Sequence, residues 1–134
     1  LPPRDGQFKH YIKGAIESYH ISYFANVETF QMGRADSNLR KNNNFYRVGK
    51  GPVSIPPNSE GWQKLRLVKD GNRILFYNNN KLFVDWTDDD AERYGVPLGG
   101  GKIGFRQMTP TVGLYRNFKV WSLQETPVPE THLR

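Results

Sequence analysis

Residues 62–86 read WQKLRLVKDGNRILFYNNNKLFVDW, and their period decides the fold class. Over 62–69, Gln63, Leu65, Leu67 and Lys69 alternate with Trp62, Lys64, Arg66 and Val68, a two-residue repeat that fits a strand and not a helix. Asp70-Gly71-Asn72 is hairpin-turn chemistry leading into a strand over 73–77, and Asn78-Asn79-Asn80 turns the chain again into 81–86. Three short strands joined by tight turns form a meander, which predicts an all-β sandwich or barrel. Its buried face is expected to hold Leu65, Leu67, Ile74, Phe76, Leu82 and Val84.

Outward from this stretch the same texture continues. Strands are expected at 10–14, 15–25, 27–32 and 45–48 on the N-terminal side, and at 102–108 and 111–123 on the other. In 15–25 the alternation places Ser18, His20 and Ser22 on one face, and Tyr19, Ile21 and Tyr23 on the opposite, ordinarily buried one. Residues 33–44, with Asp36, Ser37, Asn38 and the run Asn42-Asn43-Asn44, read as turn. Residues 51–61 carry Pro52, Pro56 and Pro57 and read as a rigid connection. The acidic stretch 87–94 has room for one helical turn, and Gly99-Gly100-Gly101 marks a bend.

The chain has 134 residues, no Cys and a formal charge of +6. That length supports one domain or part of one, and without Cys neither a disulfide framework nor a thiolate metal site is possible. No run approaches the roughly 18 apolar residues of a membrane span, and no charged segment followed by an apolar one opens the chain as a signal peptide would. The expectation is a soluble chain with no membrane partner, cytoplasmic or exported after processing. Five of the 13 acidic residues fall within 85–92, so the rest of the surface is mildly positive and favours anionic partners.

Several chemistries lack their signatures. No phosphate-binding Gly-rich loop ending in Lys-Ser/Thr, no G-x-G-x-x-G and no G-x-S-x-G is present. His10, His20 and His132 lack zinc spacing, and the acidic run does not follow the calcium-loop order, so a solvated loop, no metal and no cofactor are expected. Glu17 and Glu28 are the candidates for a paired-carboxylate glycosidase site, which requires facing strands.

The most suggestive segment is 18–46. Aromatic rings stack on sugar rings, and Arg, Asn and Tyr hold hydroxyls or carboxylates at low entropic cost. On that ground Ser18, Ser22, Arg34, Asn38, Arg40, Lys41 and Tyr46 are candidate substrate-binding residues, with His20 and Tyr23 as candidate catalytic groups. The aromatics are too few for a single-stranded nucleic-acid platform, so no nucleic-acid partner is expected.

GWQKLRLVKDGNRILFYNNNKLFVDWTDDD (61–90), GGGKIGFRQM (99–108) and YRNFKVWSL (115–123) resemble the C-terminal strands of concanavalin A-like lectin/glucanase domains. With HISYFAN (20–26) and NLRKNNNFYRV (38–48), the chain is most similar to the bacterial YesU-like family, linked to polysaccharide-utilisation genes. The resemblance covers about residues 15–123 and implies a two-sheet antiparallel jelly roll whose concave face receives an oligosaccharide. A complete roll needs more chain, so 1–123 is expected to be the C-terminal portion of one domain. A missing N-terminal segment or a separate chain would complete it, and 124–134 would be an extended tail. The Glu-x-Asp-x-x-Glu strand motif of the superfamily's glucanases is absent. Two functions remain: a metal-independent lyase acting on an acidic, pectin-like polysaccharide, with Arg and Asn neutralising a uronate while His20 or a Tyr removes its C5 proton, or a lectin-like module without chemistry.

Overall fold

The computed structural model describes residues 7, 9, 16–22, 36–42, 46–53, 61–106 and 112–123. Among these the chain is all-β, built as two antiparallel three-stranded sheets with a short helix. The first sheet holds β1 (Ser18–Ser22), β2 (Asp36–Asn42) and β3 (Tyr46–Val53), in that spatial order. The second holds β4 (Leu65–Asp70), β5 (Arg73–Asn78) and β6 (Lys81–Thr87), likewise in order.

The second sheet is the meander expected from 62–86. Its first turn places Gly71 at φ 56°, and its second places Asn79 and Asn80 at φ 47° and 66°, the paired left-handed conformations of a tight hairpin. Asn79 locks that turn by accepting from the Lys64 backbone N–H at 2.9 Å and donating to Gln63 at 2.7 Å. Ile74, Phe76 and Val84 are buried as expected, but Leu65, Leu67 and Leu82 are exposed. The physical reasons differ. Leu65 and Leu67 lie on edge strand β4, whereas a register shift opposite Phe76/Tyr77 pairs Leu82 with Tyr77 and brings Phe83 into the core instead.

In the first sheet the reading of 33–44 as a turn is wrong where it can be seen. DSNLRKN is β2, the central strand, hydrogen-bonded to β1 and β3, and its Leu39 is fully buried. Asp, Ser and Asn favour turns locally, but a place between two strands satisfies the whole backbone and overrides that preference. The rigid connection likewise begins later than residue 51. β3 runs on through Pro52, which an edge strand tolerates because its missing N–H can face away from the ladder.

The two sheets stack through β2 and β3 against β6. Leu39 of the first sheet joins Ile74, Phe76, Phe83 and Val84 of the second in one cluster, flanked by Tyr19, Ile21, Val48 and Trp86. Gly49 permits the approach, since a Cβ there would meet Val84 Cγ1 at 3.1 Å and Leu39 Cβ at 3.4 Å. Beyond β6 the acidic stretch forms α1 (Ala91–Tyr94), capped by the Asp90 side chain accepting from Arg93 N–H and closed at Gly95, φ 76°.

Leu1–Gly100 and Gly101–Arg134 are separate compact units. The boundary falls in the glycine run. Strands were expected at 102–108 and 111–123, but the described parts, 101–106 and 112–123, form none. A strand is completed only by a hydrogen-bonded neighbour; the described segments meet through ring contacts, Phe105 with Tyr115 at 4.5 Å and Phe118 at 5.0 Å, without pairing as strands. The strands expected at 10–14 and 27–32, the paired carboxylate Glu28 and the tail 124–134 lie outside the described residues.

Candidate functional site

The register of the first sheet sorts the candidate residues onto two faces. Ser18 lies opposite Asn42, His20 opposite Arg40 and Ser22 opposite Asn38, so all six share one face. Across the other ladder Arg40 lies opposite Arg47, which extends the middle pair into a transverse row of His20, Arg40 and Arg47 spanning all three strands. Asn42 donates to Ser18 Oγ at 3.2 Å. His20, Asn38 and Arg40 each have a partner of their own in the structure. Tyr23 and Arg34 fall outside the described residues.

Lys41 faces the other way. It was grouped with Arg40 as a binding cation, but successive residues of a strand point to opposite faces, and Lys41 looks toward the second sheet. Its side chain is 3% exposed and its Nζ sits 2.6 Å from Asp88 Oδ2, itself fully buried. The ammonium also donates to the Gly95 and Val96 carbonyls, both at 2.8 Å. An ammonium has three N–H groups, and these contacts use all of them, so Lys41 fastens the 88–98 segment to β2 and has no donor left for a ligand.

Tyr19 completes the knot. Its hydroxyl donates to Asp88 Oδ2 at 2.5 Å and accepts from Leu98 N–H at 2.9 Å. Burial, reinforced by the neighbouring Asp88 carboxylate, pushes its pKa up to about 12, since a phenolate there would be poorly solvated and would face a like charge. The backbone of Asp88 is pinned by Asn72, whose carbonyl accepts from Asp88 N–H at 2.8 Å and whose amide donates to the Asp88 carbonyl at 3.0 Å.

Tyr46, paired with Lys41 in register, opens onto a pocket of about 440 Å³ at the end of the sheet. Glu17, Lys41, Asn42 and Tyr46 line one side, and residues 91–96 with Leu98 line the other. The Tyr46 and Tyr94 rings meet edge to face at 5.4 Å, Trp86 backs Tyr94 at 6.1 Å, and the Arg93 guanidinium lies over Tyr94 at 5.1 Å. Asn42 is buried, and its Oδ1 has no hydrogen-bond partner.

Residues 1–120 match the family described as a domain of unknown function, DUF1961. The chain is also 34% identical over 122 residues to the uncharacterized protein YesU of Bacillus subtilis (strain 168). The chain belongs to the DUF1961 family. The match to YesU takes in 90% of this chain but 55% of that relative, so the chain spans about half the length of the curated protein it resembles. No solved structure matches the chain.

For this DUF1961 chain, sequence reasoning missed Asp88, Arg93 and Tyr94. Asp88 was read as part of a solvated acidic loop, yet it is the buried anion that holds Tyr19 and Lys41. A signal existed: it follows the strand ending WT directly, where a side chain can still reach under the sheet. The neighbouring Asp85 does behave as a surface residue, paired with Arg73 through two bonds of 2.9 and 2.7 Å that hold its carboxyl below the usual carboxylate range. Among the described residues no cluster of His, Asp and Glu is arranged to hold a metal, and no helix is long and apolar enough to cross a membrane.

Proposed function

We propose that the polar face of the first sheet binds an acidic, pectin-like polysaccharide and supports its metal-independent β-elimination. The observation that carries this reading is the transverse row of His20, Arg40 and Arg47. Arg40 and Arg47 stand opposite each other on this face, and a uronate carboxylate is the planar acceptor that guanidinium groups fit. His20, next along the row, is the group within reach to take the C5 proton that the neutralised carboxylate acidifies. The electron pair released becomes the C4–C5 double bond as the C4–O glycosidic bond breaks, and the departing oxygen takes a proton from water, the resulting hydroxide being neutralised by the proton on His20. Ser18 and Ser22 on the same face offer hydroxyl contacts to neighbouring sugar groups. The sheets are read as part of a concanavalin A-like jelly roll, completed by an N-terminal segment or a separate chain.

A second reading, a lectin-like module without chemistry, is favoured by one fact. Among the described residues that face offers a single imidazole and no phenol, Tyr19 sitting on the opposite face bound to Asp88. Incubation with polygalacturonate decides between them. Ultraviolet absorbance from an unsaturated product, lost in His20→Ala while binding persists, supports the lyase. Binding without product supports the module, and neither binding nor product overturns both.

A further inference from the structure

The pocket at the end of the first sheet is chemically unlike the polar face, and this difference defines a second ligand. At about 440 Å³ it falls within the range of small-molecule sites. Its apolar surface is the ring pair Tyr46 and Tyr94, with Tyr46 37% exposed and so able to offer its face. Its polar surface is rich in acceptors, namely the exposed carboxylates of Glu17 and Glu92.

Of the two cations in its lining, one is neutralised and the other stacks on a ring. Lys41 spends its three N–H groups on Asp88, Gly95 and Val96, and Arg93 covers the face of Tyr94. With Lys41 neutralised by Asp88, the Glu17 and Glu92 carboxylates face the single Arg93 guanidinium, so the lining is net negative and a uronate is disfavoured. A quaternary ammonium would need open aromatic faces on several sides, and one of the two rings is already under a guanidinium. What remains is a neutral ring that stacks on Tyr46 and donates hydroxyl hydrogens to the carboxylates.

We infer that the pocket lined by Glu17, Tyr46, Glu92 and Tyr94 binds an uncharged sugar residue, at a site separate from the anion-binding face of the same sheet. The test uses ligand-observed NMR on the full chain with a panel of neutral methyl glycosides (hexoses, 6-deoxyhexoses and pentoses), alongside the methyl glycoside of galacturonic acid and choline. The expected result is saturation transfer to at least one neutral glycoside, none to choline, and transfer to the uronoside only where Arg40 is intact. Tyr46→Ala should weaken that glycoside about tenfold, the scale of one aromatic contact. Tyr46→Phe should retain it, and Glu92→Ala, on an exposed helix position, should weaken it a fewfold without altering the fold. Arg40→Ala should leave it unchanged, which separates this site from the polar face. Silence from every neutral glycoside, binding of choline or the uronoside that is lost in Tyr46→Ala, or parental affinity for the glycoside in both Tyr46→Ala and Glu92→Ala would overturn the inference.

Discussion

The two sheets contrast in how they use polar residues. In the second, Arg66 stacks over Tyr77 at 4.0 Å and Arg73 pairs with Asp85 at an exposed position, while the middle strand buries Ile74 and Phe76. In the first, the middle strand is itself polar: Asn38, Lys41 and Asn42 are buried beside Leu39. An apolar strand in the centre of a sheet requires only packing. A polar one requires each group to find a partner, and sequences bear that cost at sites where polarity has a use.

Breaking the knot beneath that polar strand should have the largest effect. Asp88→Ala leaves the Lys41 ammonium buried without its counter-charge, and chemical denaturation should register a loss of about 3–5 kcal/mol. Replacing both partners with apolar residues of similar volume should cost much less, because no orphaned charge remains. A loss within the range of an ordinary surface change would mean that the 88–98 segment is not held by this pair.

Next comes Leu39→Ala, expected to cost about 2–4 kcal/mol, comparable with Ile74→Ala in the other sheet. Were 36–42 a solvent-exposed turn, the same substitution would leave the denaturation midpoint nearly unmoved. A smaller effect concerns pH. Tyr19 has a raised pKa in the fold, so the protonated phenol is favoured there over the unfolded chain, where it ionises near pH 10. Its contribution is complete below about pH 10 and is lost as pH rises toward about 12, and Tyr19→Phe should flatten this alkaline decline. A decline as steep in Tyr19→Phe as in the parent would place its source elsewhere.

The sheets also differ in how far they could be read. Alternation and Asn-rich turns made the strands of the β4–β6 meander legible to within about three residues, because period and turn chemistry agree there, although Leu65, Leu67 and Leu82 are exposed against expectation. The 36–42 strand was hidden, since local preference pointed to a turn and only its two neighbours make it a strand. The alternation of 15–25 correctly separated Ser18, His20 and Ser22 from Tyr19 and Ile21. It could not show that Arg40 would join the first set and Lys41 the second, because that follows from a strand the reading did not contain. Asp88 was invisible for a similar reason: its burial depends on Tyr19 and Lys41, both far away in sequence. The exposed apolar residues of 112–123 mark the opposite failure, an alternation without a hydrogen-bonded neighbour to complete it.

The most direct test sets one arginine from each sheet against the other. Calorimetric titration with an oligogalacturonate should show binding in the parent, a loss of at least tenfold in Arg40→Ala, and parental affinity in Arg73→Ala, which removes the same charge from the second sheet. Equal losses in the two variants would reduce the interaction to the chain's net positive charge, and undiminished affinity in Arg40→Ala would contradict the assignment of the polar face as the anion site.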